Sequence, residues 1–265
     1  MPAVPIAPIH CIVIDGADAR RFAQTQFSGD VQTLLPGHWQ WNAWLDARGR
    51  VAALMQLADI GDDCLLAVLR GGSAERVRDG LARYLLRTRA TLSTRLYTGY
   101  EDAAFTMGRV ETDGQDFLFG LGDRGIKLSA TLASPDPGAS NRWRLADIRA
   151  GWPTLPAGEA RFLPPALGLE RLGAVSFQKG CYPGQEIAAR LHYRGGHKLH
   201  LQHIRGTALL PAGTTLGPGD ADSVHVLDSA RSGSGMEALV VAPRAGTLTI
   251  NILHNVYDVV STFDA

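Results

Sequence analysis

Short apolar runs separated by glycine- and proline-containing turns dominate the chain, and this pattern most restricts its fold. Beyond Leu191 these runs follow one another without a helical segment. They are residues 198–204, 214–216, 223–227, 238–242, 246–252 and 256–263. Strands of this length and spacing are typical of an antiparallel barrel or sandwich. We therefore predict a small antiparallel β-barrel at residues 191–265.

Strands and helices are mixed over the earlier part of the chain. Between residues 38 and 110 the predicted order is strand, strand, strand, helix, strand, strand, which indicates a compact α+β unit. Asp46-Ala47-Arg48-Gly49 is predicted as the hairpin turn between the first two strands, and Ser73 as the N-cap of the helix. The strands are predicted at 38–45, 50–60, 64–69, 89–97 and 104–110. Around this unit we predict strands at 9–14 and 116–121, a helix from Asp18 to Phe27, a short helix at 126–133 and a helix at 142–150.

Composition excludes several classes of protein. The 265 residues carry 26 Lys+Arg and 26 Asp+Glu, so coating of nucleic acid by bulk charge is not expected. Three scattered cysteines are too few for a disulfide framework or a four-cysteine zinc site. No run approaches the roughly 18 apolar residues of a membrane helix. The N-terminus lacks a basic segment and has three early prolines. We therefore expect a cytoplasmic protein without membrane partners.

Two patterns suggest ligands only weakly. Gly120–Gly125 satisfies G-x-G-x-x-G, but the rest of the chain does not alternate strand and helix, so a Gly/Asp-rich turn is preferred over a dinucleotide site. His197, His200 and His203 are spaced by three, which would suit a metal on a helix face. Their apolar neighbours alternate as in a strand, so solvated histidines are preferred over a metal site.

A basic stretch contrasts with the neutral whole. No acidic residue lies between Ile187 and Gly219, whereas Arg190, Arg194, Lys198 and Arg205 all do. Such a stretch could attract a polycarboxylate tail or RNA, or it could be a solvated face balanced by acids elsewhere.

The most unusual segment surrounds the third cysteine. Lys179, one of only three lysines, precedes Cys181 by two residues. Pro183-Gly184 fits the central positions of a type II turn. A nearby ammonium would favour a reactive thiolate, although a buried cysteine in a turn remains the simpler reading. Glu186 and Arg190 are four residues apart and could pair if a helix begins here.

Lys179-Gly180-Cys181-Tyr182-Pro183-Gly184-Gln185-Glu186 resembles the K-G-C-Y-x-G-Q-E signature of the YgfZ family, folate-binding proteins related to the T protein of the glycine cleavage system. Further segments resemble the family in order. They are Gly16–Asp30, Asp46–Arg50, Ala150–Pro153, Phe162–Pro164, Leu169–Gly173, Ser176-Phe177, Ala189-Arg190 and Arg194–Lys198.

The resemblance implies a T-protein-like α+β fold, a ring of two α+β portions and a C-terminal antiparallel β-barrel around a folate cavity. Residues 1–37 with 111–190 would form the folate-binding portion, 38–110 a ferredoxin-like portion and 191–265 the barrel. It implies tetrahydrofolate as ligand and a role in assembling or repairing iron–sulfur clusters in enzymes, including tRNA-modifying ones. The partners would be client enzymes or assembly factors.

The resemblance also assigns candidate site residues. Cys181 and Lys179 are expected to face the cavity, and Asp46 to lie beside the reactive folate nitrogens. The remaining candidates for folate contact are Tyr182, Gln185, Glu186, Arg190, Arg194 and Asp147.

Arg149 departs from the family pattern, which has Glu at this position to accept two hydrogen bonds from the pterin. A guanidinium has only donors, so another acid, such as Asp147, would have to substitute, or the pterin would lie differently. The family's Asn is replaced by Gly168.

Three functions stay open at this point. The first is an accessory protein without turnover of its own and without a stable intrinsic metal, since C-x-x-C spacing is lacking. The second is a tetrahydrofolate-dependent aminomethyltransferase with Asp46 as acid/base. The third is an RNA-binding module that uses the basic stretch.

Overall fold

Two antiparallel sheets and four α-helices make up the computed structural model, which describes residues 4–158, 161–217, 223–244, 249–252 and 255–264. The first sheet contains β1 (Pro5–Asp15), β2 (His38–Leu45), β3 (Val51–Gly61), β4 (Cys64–Leu69), β5 (Thr91–Asp102), β6 (Val110–Asp113), β7 (Asp116–Gly120) and β8 (Gly125–Ser129). The second contains β9 (Leu199–Gly206), β10 (Thr215–Leu216), β11 (Val224–Ser232), β12 (Gly235–Pro243), β13 (Thr249–Ile252) and β14 (Asn255–Phe263). The helices are α1 (Ala19–Gln26), α2 (Ala74–Ala82), α3 (Pro137–Ala150) and α4 (Gln185–Arg194), with short 3₁₀ turns at Val31–Thr33 and Pro164–Leu167.

The first sheet has the strand order β2-β3-β4-β1-β5-β8-β7-β6 and curls on itself. The amide of Trp39 donates to Gly108 O at 2.7 Å, and the amide of Val110 donates to Gly37 O at 2.9 Å. These bonds join β2 to the segment that leads into β6, so the two ends of the strand order meet. The sheet therefore contains strands from both α+β portions expected from the sequence.

Both faces of the first sheet are buried, which explains the nearly continuous apolar sequence of β3. On one face, Met55 and Leu57 pack with α1 and α2. On the other, Leu54 and Ala58 join a core that reaches α3 and the second sheet. The second sheet has the order β10-β11-β12-β9-β14-β13 and its own apolar cluster, which includes Ile204, Val240 and Tyr257. The predicted α+β class with a C-terminal antiparallel sheet is confirmed.

The structure corrects two predicted elements. Residues 126–133 were expected to form a helix, but Gly125–Ser129 is strand β8, because Ile126 and Leu128 pack inward while its backbone pairs with β5 and β7. Gly120–Gly125 is thus a hairpin turn and not the start of a helix. The predicted strand at 104–110 is mostly loop before β6, with Gly108 at φ +81°.

Asp18 starts α1 as predicted, but its side chain does not cap the helix amides. Its Oδ2 accepts a hydrogen bond from the amide of Arg89 at 2.8 Å, so it links α1 to the segment before β5. Ser73 does cap α2, because its Oγ accepts from the amide of Arg76 at 3.3 Å. The predicted run at 246–252 lies partly outside the described residues, and its described part is β13.

The prediction of solvated histidines is wrong for His203. It is buried on β9, and its Nε2 lies 2.9 Å from Oε2 of Glu237, while burial lowers its pKa. His200 contacts Asp264, with 2.6 Å between Nδ1 and Oδ1. Among the described residues, no group of three or more His, Cys, Asp or Glu is placed to hold a metal ion. None of the described helices combines the length and apolar character needed to cross a bilayer.

Candidate functional site

The signature segment forms the predicted type II turn. Gly184 has φ 74° and ψ 0°, and the amide of Gln185 donates to Tyr182 O at 3.3 Å. These are the values of the third turn position, which requires positive φ and therefore favours glycine. α4 begins at Gln185, immediately after the turn. The sequence thus fixes both the direction of the chain after Cys181 and the start of the helix.

Asp46 organises the hairpin turn between β2 and β3. Its Oδ1 accepts hydrogen bonds from the amides of Arg48 at 2.8 Å and Arg50 at 2.9 Å. The amide of Gly49 donates to Asp46 O at 2.9 Å, with φ of Gly49 at +74°. The carboxylate is therefore part of the turn, and one of its oxygens is held by backbone amides.

These two turns touch through their glycines. A Cβ on Gly184 would lie 2.5 Å from Asp46 O and 2.8 Å from Gly49 Cα. A Cβ on Gly49 would lie 2.8 Å from Ile187 Cβ. Side chains at these positions cannot be accommodated without displacing backbone, so the glycines permit the close approach. The contact brings two segments together that are more than 130 residues apart.

A cleft of about 580 Å³, which we call the signature cleft, lies between the two turns. Its lining is Trp44, Leu45, Asp46, Ala47, Tyr84 and residues 181–187. Cys181 is exposed at the cleft, whereas Tyr182 is buried and donates its hydroxyl to Ser176 O at 3.2 Å. Of the predicted site residues, the structure therefore brings together Asp46, Cys181, Tyr182, Gln185 and Glu186.

Lys179 lies beneath this cleft and is buried. Its Nζ donates to the carbonyls of Gln24 at 2.6 Å, Phe27 at 2.7 Å and Gly29 at 2.8 Å. Burial lowers the pKa of Lys179 to about 8. All three ammonium protons are used by backbone acceptors around the end of α1. The Lys179 side chain therefore ties the signature segment to α1 and donates no proton to the Cys181 thiol.

Arg190 and Arg194 lie on the exposed surface of α4 and outside the signature cleft. Tyr193, between them in sequence, is 74% exposed. Neither arginine forms an ion pair with any described residue, so the predicted Glu186–Arg190 pair is not formed. The basic stretch is thus solvated at α4. On β9, in contrast, Arg205 lies 3.5 Å from the buried Glu237.

Asp147 is buried on α3 between two arginines that the sequence analysis did not identify. Its Oδ2 accepts from Arg70 at 2.7 Å and its Oδ1 from Arg124 at 2.5 Å. Both oxygens are therefore already engaged. The guanidinium of Arg124 also lies over the Trp143 ring at 4.3 Å and the Trp152 ring at 5.1 Å.

Arg149 points to the second sheet. Its Nη2 and Nε donate to the two carboxylate oxygens of Glu237 at 2.7 and 2.9 Å. Glu237 lies on β12, has no exposed surface, and also accepts from the Ser232 hydroxyl at 2.8 Å. The side-chain hydrogen bond from Arg149 is the largest cause that lowers the pKa of Glu237 to about 2. Glu237 was not predicted from the sequence, because its neighbours on β12 form no motif that marks a functional or buried acid.

Two further cavities lie where the first sheet, residues 154–158 and 161–162, and the second sheet meet. One, of about 440 Å³, contains three arginines and is called the arginine cleft. Arg76, Arg83 and Arg161 line it together with Trp44 and Phe162. The other, of about 600 Å³, is lined by Asp147, Asp228, Arg70 and Arg144 and is called the acidic cleft.

The three cavities follow one another. The arginine and acidic clefts share Gly72, the 155–157 segment and Gly213, and the arginine and signature clefts share Trp44. In the acidic cleft, Oδ1 of Asp228 accepts three hydrogen bonds. The donors are Nε and Nη2 of Arg144 and the amide of Ser229. Oδ2 of Asp228 accepts no hydrogen bond from the described residues, so it is available to a ligand.

Sequence comparison finds relatives among curated proteins, whereas no family model matches the chain. An uncharacterized protein of Haemophilus influenzae is 29% identical over 199 residues, which cover 74% of this chain and 70% of that protein. The tRNA-modifying protein YgfZ of Escherichia coli O127:H6 is 26% identical over 224 residues, covering 74% and 69%. The same protein of Shigella boydii serotype 4 has the same identity and coverage.

Structure comparison finds a solved protein of the same fold. Aminomethyltransferase T of the glycine cleavage system from Bartonella henselae superposes with a TM-score of 0.74 over 98% of this chain and 84% of its own, at 14% sequence identity. At this identity the likeness shows a shared fold. The chain is thus similar in sequence to the YgfZ proteins over 74% of its length, and it has the fold of the glycine cleavage aminomethyltransferases.

Proposed function

We propose that the protein is a folate-binding accessory protein that supports the assembly or repair of iron–sulfur clusters in client enzymes, including tRNA-modifying ones, without turnover of its own. Its YgfZ relatives are named as tRNA-modifying proteins, and its fold is that of an aminomethyltransferase. The partners would then be the client enzymes or their assembly factors.

The observation that carries this proposal is the docking of the signature turn on the Asp46–Gly49 turn. The contact between Gly184 and Gly49 holds both backbones, and Lys179 anchors the signature segment from below. Cys181 remains exposed at the edge of the resulting cleft. A thiol on a fixed turn, with its side chain open to solvent, suits contact with a second macromolecule more than catalysis in a closed pocket.

The three adjoining clefts also suit a folate. Trp44, Phe162 and the arginines offer aromatic surface and positive charge in the arginine cleft, and Oδ2 of Asp228 offers an acceptor in the acidic cleft. The buried indole N–H of Trp44 lacks an acceptor among the described residues. Arg149 and Asp147 are engaged elsewhere, so the pterin acceptor here would be Asp228. When bound, tetrahydrofolate supplies nitrogens that can carry one-carbon units.

An aminomethyltransferase is the second candidate, with Asp46 as the acid/base group. The commitment of Asp46 Oδ1 to two amides and the position of Arg149 against Glu237 both weigh against it. Transfer of a one-carbon unit from an aminomethyl donor to tetrahydrofolate by the purified protein would favour the enzyme over the accessory role.

Complementation of a deletion strain tests the accessory role. We expect Cys181→Ala to fail to restore the modified nucleosides made by iron–sulfur enzymes, measured by mass spectrometry of digested tRNA. Cys64→Ala is the matched control, because Cys64 is a half-buried thiol on β4 that lines none of the three clefts. Equal restoration by both variants, at equal protein level, would contradict the role of Cys181.

Folate binding is tested separately by ligand titration. Tetrahydrofolate should change the fluorescence of the five tryptophans in a saturable way, since Trp44 lies between two of the clefts. The absence of a saturable change up to millimolar ligand would refute folate binding.

A further inference from the structure

The outward side of α4 presents two guanidinium groups beside one exposed aromatic ring. Arg190, Tyr193 and Arg194 are at positions i, i+3 and i+4, which lie on one side of a helix. All three residues are exposed, Tyr193 to 74%. The side chains of the two arginines form no hydrogen bond or ion pair with the described residues. We call these three residues the α4 face.

Contacts with two further rings hold Tyr193 in place. Its ring meets that of His192 edge to face, with 4.8 Å between the ring centroids. His192 in turn stacks on Phe177 at 4.0 Å with 18° between the planes, and its Nδ1 lies 2.8 Å from Oε2 of Glu170. An aromatic side chain that is already fixed loses little conformational entropy when a ligand stacks on it. The exposed ring of Tyr193 is therefore preorganised for stacking.

The aliphatic residues of α4 are used for packing within the protein. Ala188 is buried, Leu191 is half-buried, and Ile187 lies against Gly49. The centre of a protein–protein interface is apolar, whereas single-stranded nucleic acid is bound by cations for its phosphates and aromatic rings for its bases. The composition of the α4 face therefore favours nucleic acid over a protein as partner.

Further positive charge lies at the start of the helix. Arg48 and Arg50 are exposed on the hairpin turn that contacts the first turn of α4 through Gly49. Their side chains form no hydrogen bond or ion pair with the described residues, and Glu186 is the single acid of α4. The ten residues of α4 span about 15 Å at 1.5 Å per residue. The surface can therefore contact more than one nucleotide.

We propose that the α4 face binds single-stranded nucleic acid, with one base stacked on Tyr193 and the flanking phosphates contacted by Arg190 and Arg194. This binding goes beyond the proposed accessory function and does not depend on folate. Every base has a π face, so stacking on tyrosine tolerates any sequence. Guanidinium groups bind phosphate by paired, charge-assisted hydrogen bonds. The zero net charge of the chain does not oppose this binding, because the field at a surface depends on the charges close to it.

Fluorescence anisotropy of short labelled oligonucleotides, titrated with the full chain at several salt concentrations, tests the proposal. The probes are an RNA and a DNA strand of one sequence that cannot pair with itself, and the corresponding RNA duplex. We expect saturable binding of single strands. Tyr193→Ala should weaken it about tenfold at an unchanged salt dependence, because loss of base stacking costs on this scale. Tyr193→Phe retains the ring and should bind like the parent.

The arginines are tested by the salt dependence. Each phosphate contact to a single strand contributes about 0.7 to the slope of log K against log salt concentration. Arg190→Gln with Arg194→Gln should therefore make the slope shallower by about 1.4. The side chains of both arginines are exposed and make no contact that folding requires, so the double variant should keep the melting temperature of the parent.

Arg95→Gln with Arg142→Gln is the matched control, because it removes two exposed positive charges from β5 and α3. It should keep the affinity and the salt slope of the parent. An equal loss in the two double variants would overturn the proposal in favour of bulk charge.

The choice of probe separates the remaining outcomes. Tighter binding of the RNA strand identifies RNA as the ligand, tighter binding of the DNA strand identifies DNA, and both results support the proposal. Absence of saturable binding of either strand would overturn it, as would duplex RNA that binds as tightly as the single strands. A labelled poly-aspartate peptide bound with the same dependence on Tyr193, Arg190 and Arg194 would overturn it in favour of an acidic protein partner.

Discussion

Replacement of Arg149 by Ala should destabilise the protein at the contact between α3 and the second sheet. The side chain of Glu237 has no exposed surface, and Arg149 provides two of the hydrogen bonds to its carboxylate. Ser232 and His203 provide others, with Arg205 at 3.5 Å. Truncation of Arg149 leaves a buried carboxylate with fewer partners, which is strongly unfavourable.

The size of the effect follows from the pKa of Glu237. The folded protein lowers it from 4.5 to about 2, and each pKa unit corresponds to about 1.4 kcal/mol, so the hydrogen bonds and charges around the carboxylate, offset by its burial, stabilise it by about 3 kcal/mol net. Arg149 is the largest cause, and we expect Arg149→Ala to lower the free energy of unfolding by about 2 kcal/mol. For a chain of this size, that corresponds to a decrease of about 4–8 °C in Tm.

The pH dependence has a definite sign. A carboxyl whose pKa is lowered by folding stabilises the folded state above its unfolded value near 4.5, and this contribution is lost as the pH falls towards about 2. The difference between the parent and Arg149→Ala should therefore be complete at pH 7 and partly lost at pH 3.

Urea denaturation at both pH values measures the difference, with Arg142→Ala as the control. Arg142 is an exposed arginine on the same helix, and its removal should change the free energy of unfolding by less than about 0.5 kcal/mol. If Arg149→Ala is as stable as Arg142→Ala at pH 7, the reasoning about the Arg149–Glu237 pair is refuted.

Two further predictions concern the signature segment. Gly184→Ala should destabilise the protein by about 1–3 kcal/mol and impair complementation, because its Cβ would meet Asp46 O at positive φ. Gly180→Ala is the control, since the space around a Cβ at Gly180 is open. Equal melting temperatures for the two variants would contradict the docking of the turns. Lys179→Ala should lower the free energy of unfolding by at least about 2 kcal/mol, because two buried carbonyls and one partly buried carbonyl lose their donor. Lys198→Ala is the control, because Lys198 is exposed. Equal urea midpoints for Lys179→Ala and Lys198→Ala would argue against the anchoring role of Lys179.

Much of the fold follows from local pattern, and the failures have local reasons. β2 and β3 were predicted within one residue at both boundaries, because apolar spacing and the Asp46–Gly49 turn indicate the same strands, and α2 begins after its Ser73 cap as predicted. β8 was missed, because its apolar positions are compatible with either a short helix or a strand, and only pairing with β5 and β7 decides between them. His203 was misassigned because its burial depends on Glu237, 34 residues away.

The sequence by itself determined the type II turn at Pro183-Gly184, the hairpin turn at Asp46 and the resemblance to a family, since each depends on neighbouring residues. Only the tertiary structure decided that the two turns touch, that Lys179 faces backbone carbonyls and that Arg149 faces Glu237. It also decided that Arg76, Arg83 and Arg161 share a cavity with Trp44. Contacts between segments this far apart depend on how the sheets curl and pack, and local spacing carries no information about that.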